Sequence, residues 1–116
     1  MSIDRIEPGP RMSRAVVYNG TIYVAGHVPD NASAGVADQM RNVLAKLETT
    51  LADAGSDKSH LLSVTIYLSN IASFEEMNGV WDAWVDEANP PARATVEARL
   101  ARADFKVEIV AVAARK

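Results

Sequence analysis

Val107-Glu108-Ile109-Val110-Ala111-Val112-Ala113-Ala114, the greater part of a run that begins at Phe105, carries apolar residues on both parities. Val107, Ile109 and Ala111 fall on one face of an extended strand, while Val110 and Val112 fall on the other. Successive strand side chains point to opposite faces, so a strand of this pattern is covered twice. Working back from it, Ala94, Val96 and Ala98 alternate with Arg93, Thr95 and Glu97, and Leu62, Val64, Ile66 and Leu68 alternate with Ser63, Thr65, Tyr67 and Ser69. Both alternations predict strands. Nearer the N-terminus, residues 14–18 and 21–25 are rich in Val, Ile and Tyr and flank Asn19-Gly20, a pair suited to the positive φ of a type I′ hairpin turn.

Two helices complete the pattern. Val36, Met40, Val43, Leu44, Leu47 and Leu51 recur at three- and four-residue spacing, which predicts a helix to about Ala54 with Gly55 as its C′ residue. Ser73 and Glu76 have the spacing of a capping box ahead of a stripe of Phe74, Met77, Trp81, Trp84 and Val85, and Asn89-Pro90-Pro91 is the expected stop. The order is ββαβαββ, an α+β fold with both helices on one face of a mixed sheet. Two helices cover one face only. The apolar second face of the final strand therefore calls for another subunit.

The chain has 116 residues, 48% of them apolar, enough for one core without staples and consistent with a single domain over residues 1–116. No internal repeat or linker divides it. Twelve basic against fifteen acidic residues leave a net charge of −3, so there is no overall positive field to hold nucleic acid. With no cysteine, thiol nucleophiles, disulfides and thiolate zinc sites are excluded. The charged, Pro-containing start MSIDRIEPGPRM is unlike a signal peptide, and no apolar segment approaches membrane-spanning length. A soluble, cytoplasmic protein is expected.

The chemistry-bearing residues are few. His27 and His60 have no metal-ligand spacing, so no metal is expected, and no nucleophile-elbow, dinucleotide or P-loop motif occurs. His60 precedes a strand and reads as a surface residue; His27 follows Ala25-Gly26 at a strand-to-loop corner, where it lines a cleft or simply packs. Arg93 opens a strand after Pro90-Pro91-Ala92, and its planar fork pairs bidentately with a carboxylate. The alternative is a surface ion pair with Asp86 or Glu87. Glu97 and Glu108, expected on neighbouring strands, either orient a water or belong to a solvated face.

Gly9-Pro10, Ile22-Tyr23-Val24-Ala25-Gly26 leading to Pro29, Gln39, Ala54-Gly55, Val64-Thr65-Ile66-Tyr67-Leu68, and Phe74 with Asn78 occur in that order along the chain. They are followed by Pro91-Ala92-Arg93-Ala94-Thr95-Val96-Glu97 with Arg99-Leu100, and by Val107-Glu108-Ile109. Together these segments resemble the RidA/YjgF (Rid) family almost end to end. The resemblance implies a chorismate-mutase-like α+β fold, a homotrimer with clefts between subunits, and 2-iminobutanoate/2-iminopropanoate deaminase activity without a cofactor. In that activity reactive enamines and imines such as 2-aminoacrylate are hydrolysed to a 2-keto acid and ammonia. By position, Arg93 would hold the substrate carboxylate and Glu108 the attacking water, with Met12, Ala25, Gly26, His27 and Thr95 lining the pocket.

Two positions depart from the family pattern. Met12 stands where the deaminases carry Tyr, and Ala25 where they carry Ser; Leu100-Ala101 also replaces Leu-Pro. A buried hydroxyl that bonds substrate is commonly worth about 1 to 3 kcal/mol, so the pocket keeps its carboxylate anchor with a changed preference. A trimer that binds keto acids without turnover is the alternative those losses favour. Ribonuclease activity, also attributed to the family, runs against the acidic balance.

Overall fold

Six strands and two α-helices follow one another in the computed structural model, which describes residues 2–116. They are β1 (Asp4–Ile6), β2 (Ala15–Tyr18), β3 (Thr21–His27), α1 (Val36–Asp53), β4 (Leu61–Leu68), α2 (Phe74–Trp84), β5 (Ala92–Glu97) and β6 (Val107–Ala114). The expected ββαβαββ order is present, preceded by β1, which the sequence reading lacks. Three residues, two of them charged, give no alternation to read; β1 exists because it pairs with β2 in the register Arg5 to Val16.

Local chemistry sets the joints. Asn19 and Gly20 take φ of 54° and 78°, closing the β2–β3 hairpin, and Gly55 at φ 84° ends α1. The capping box is not formed. Ser73 makes no side-chain cap, because it is the last residue of a 3₁₀ turn, Ile71–Ser73, from which α2 continues directly; Asn70 caps that turn by accepting from the Ala72 N–H. Helix α2 also ends earlier than the proline stop, at Trp84. Val85 leaves in an extended conformation, and Asp86 accepts from the Ala88 N–H and the Asn89 amide to start the turn.

The sheet order is β1-β2-β3-β6-β4-β5, with β4 and β5 parallel and every other pair antiparallel. The two-sided strand β6 is thus central: Ala111 pairs with Val24 on one side and Val64 on the other. Glu97 and Glu108 are consequently not on neighbouring strands, since β4 lies between β5 and β6. On one face Ile22, Val64, Ile66, Leu68, Val107 and Ile109 pack with Met40, Leu44, Leu47, Leu51 and Met77 of the helices, all buried. Each large apolar side chain so buried contributes about 1.5 to 3 kcal/mol of transfer free energy.

The opposite face has no helix. Tyr23 there is 52% exposed, and its cross-strand partner Val112 is only half-buried, as is Val110. Two strand parities differ from expectation. A register shift between Leu61 and Ser63 buries Leu61 and exposes Leu62, because one extra residue reverses every side chain before it. In β5 the apolar Ala94 and Val96 are exposed, while Arg93 and Thr95 take the half-buried, helix-facing positions.

Candidate functional site

Arg93 stands across from Val64 in the parallel β4–β5 ladder and shares its helix-facing side. Its guanidinium lies over the Trp81 ring at 5.3 Å and faces the Phe74 ring at 6.0 Å. Phe74, Asn78 and Trp81 fall on one stripe of α2, four and three residues apart, so a single helix face presents both rings to β5. Rings hold a guanidinium by its faces and leave its N–H edge free. Among the described residues the Arg93 guanidinium makes no hydrogen bond or ion pair, and Asp86 is occupied with Ala88 and Asn89. The surface ion pair is absent. Nearby, the Thr95 hydroxyl and the Asn78 side-chain carbonyl oxygen are buried without partners.

Glu108 occupies the other side of the sheet. It pairs with Tyr67, whereas Arg93 pairs with Val64, so the two are separated by roughly 10 Å along β4 and by two strand spacings across it, on opposite faces. One chain does not bring Arg93 and Glu108 together. Gly26 and Glu108 do meet: a Cβ on Gly26 would lie 2.0 Å from Glu108 Oε2. The close approach follows from a register irregularity between Val24 and His27 in the β3–β6 ladder. Glu108 also lines a shallow recess with Tyr67, Arg99, Leu100 and Val110.

Around Gly26 the chain forms a second open recess of about 370 Å³ that includes Met12, Ala25, His27, Arg14 and Lys46. Met12 is exposed at its mouth. His27, however, is 5% exposed and turned inward. Its Nδ1–H donates to the Ala25 carbonyl at 2.8 Å, and its Nε2 accepts from the Thr50 hydroxyl at 2.7 Å, which fixes one neutral tautomer. Burial lowers its pKa below 6.5, and the charges of Lys46 and Arg14 lower it further. His60 is a surface residue bonded to Asp57, as read from sequence. Glu97 accepts from the Ile71 N–H and so serves the turn before α2.

Five residues now belong to this description that sequence reading did not assign to the site. Phe74 and Trp81 are legible in the sequence as part of a helical stripe and Phe74 with Asn78 as a segment of the family resemblance, while Arg14 and Lys46 are isolated charges brought to the recess by tertiary structure.

The chain matches a family model described as Endoribonuclease L-PSP over residues 2–115. It is 46% identical over 112 residues to a RutC family protein of Haemophilus ducreyi, covering 97% of this chain and 96% of that one. The RutC family protein YoaB of Escherichia coli is 43% identical over 114 residues, covering 98% and 99%. The backbone of this chain is similar to the crystal structure of NMB1025, a YjgF family member from Neisseria meningitidis, with a TM-score of 0.97, 47% identity, and coverage of 100% and 97%. End-to-end coverage with this shared α+β architecture shows that the chain belongs to the RutC/YjgF/L-PSP family, the Rid family of the RidA-like proteins.

Proposed function

We propose that the protein is a hydrolytic deaminase of 2-imino and 2-enamine carboxylates, acting as a homotrimer. The observation that carries the reading is Arg93, a half-buried guanidinium held by two aromatic rings with its donor edge unpaired. Such a fork fits a planar carboxylate, which would also give the buried Thr95 hydroxyl a partner. Because Arg93 and Glu108 lie on opposite faces of one sheet, a working site takes Arg93 from one copy and Glu108 from the next. The uncovered apolar face around Tyr23 and Val112 supports that association.

In this reading the enamine tautomerises to the imine, whose carboxylate rests on Arg93. Water held by the Glu108 carboxylate adds to C2, and its proton passes to the imine nitrogen. The C2–N bond of the resulting carbinolamine then breaks as its hydroxyl proton passes to the departing nitrogen, giving ammonia and a 2-keto acid. No change of oxidation state occurs, so the balance closes with water alone. Glu108 acts by fixing the water in place.

The test is to generate 2-iminobutanoate in situ from the amino acid with an oxidase and to time keto acid release with and without the protein. Release should accelerate with the protein, and Arg93→Ala should remove most of that acceleration. The second reading, a keto-acid-binding trimer without turnover, is favoured by the missing hydroxyls at Met12 and Ala25. Binding of 2-oxobutanoate with no acceleration would select it.

A further inference from the structure

Resting on the deaminase reading, we propose that the recess beside Gly26 receives a second carboxylate, so that the favoured substrates are 2-imino dicarboxylates. Gly26 lies directly against the Glu108 carboxylate, which places the recess next to the water-holding group. Its titratable lining is Arg14, Lys46, His27 and the Glu7 carboxylate, two cations against one acid.

Both cations have acidic neighbours, but these face solvent. The Arg14 side chain is 27% exposed, against 66% for Glu7 and 50% for Asp53, and both carboxylates crowd onto the same Nη2 atom. The adjacent Nε is buried and has no acceptor. A bidentate carboxylate would use Nε and Nη2 together, which neither Glu7 nor Asp53 does. Lys46 likewise donates to the Val28 carbonyl and to the far more exposed Asp30.

Glu7 is the group to be displaced. It holds its Nη2 contact at 2.8 Å from a backbone φ of 46°, a conformation that non-glycine residues rarely adopt. Its ion pair is open to water, so exchange for a ligand carboxylate sacrifices little. Asp53 remains to hold Arg14 in place. Burial, and after it the charges of Lys46 and Arg14, lowers the pKa of His27 beside them.

The test compares 2-oxoglutarate with 2-oxobutanoate by titration calorimetry on the intact protein, and reads the ratio of the two affinities. The ratio should exceed tenfold in favour of the dicarboxylate. It should collapse toward one with Lys46→Met, and rise with Glu7→Gln, which removes the competing carboxylate without touching the cations. Equal affinities in the unmodified protein, or a ratio indifferent to both substitutions, overturn the inference. If both acids bind equally and both are lost with Arg93→Ala, only the second-carboxylate assignment falls; if neither binds, the deaminase reading falls with it. Displacement by inorganic phosphate at concentrations where 2-oxoglutarate has no effect would assign the recess to phosphate and overturn the dicarboxylate.

Discussion

Gly26→Ala is the sharpest perturbation of the site, because its consequence follows from one distance. The added Cβ would meet Glu108 Oε2 at 2.0 Å and the carboxyl carbon at 3.0 Å. Contacts of this kind are not made below 3.0 Å, so the carboxylate must retreat by at least about 1 Å, and a misplacement of that size costs on the order of 100-fold in rate, or about 2.7 kcal/mol of barrier. The fold should tolerate the change. Gly26 is not at positive φ, and the obstructing atoms are the far end of a flexible side chain. Thermal unfolding should therefore shift by no more than a few degrees, while turnover of the in situ imine falls about 100-fold and 2-oxobutanoate still binds. Glu108→Gln should give a loss of the same order with the glycine intact. If Gly26→Ala retains the full rate, Glu108 does not position the water, and the reasoning from its contact with Gly26 fails.

Arg93→Ala should weaken keto acid binding by roughly 10- to 150-fold, the equivalent of a charge-assisted bond of about 1.5 to 3 kcal/mol, and Arg93→Lys should recover only part of it because the fork is lost. The readout is Trp fluorescence, since the guanidinium lies 5.3 Å from the Trp81 ring and a bound carboxylate alters its charge environment. Val112→Asp should convert the proposed trimer to a single-chain species by sedimentation, because it charges the apolar face around Tyr23; an unchanged mass refutes use of that face. The lowered pKa of His27 contributes stability that is fully present above 6.5 and is lost as pH falls from 6.5 toward the folded value, since the unfolded chain then binds the additional proton. His27→Gln should flatten the melting temperature between pH 7.5 and 5. Thr50→Val should cost about 1 to 3 kcal/mol in chemical denaturation by leaving His27 Nε2 buried and unpaired.

The hairpin and both helices are legible because each rests on local chemistry: Asn19-Gly20 and the three- and four-residue apolar spacing. What was not legible depends on pairing. Nothing in the order of residues says that β6 inserts between β3 and β4, and without that insertion Glu97 and Glu108 look like neighbours. The bulges after Leu61 and Val24 each reverse a parity, so the alternation that puts Leu62 in the core fails there, while Gly26 lies against Glu108. Arg93 was legible as a candidate, but its helix-facing side was not, since a cation on a half-buried face becomes intelligible only once Phe74 and Trp81 are seen beside it.

The central place of β6 has a consequence for how the chain is made. Strands β3 and β4 are synthesised well before it, and each presents an unpaired edge lined with Val and Ile until residues 107–114 have left the ribosome. Without β6 the strand pairings of the native sheet reduce to β1-β2-β3 and β4-β5, and no ladder joins the two groups. Open apolar edges recruit other strands, so crowded polysomes carrying this message are the place where misassembly between neighbouring nascent chains would begin. Slowing translation across residues 98–106 should lengthen that interval and raise the insoluble fraction, whereas the same slowing within α1 should leave the yield unchanged.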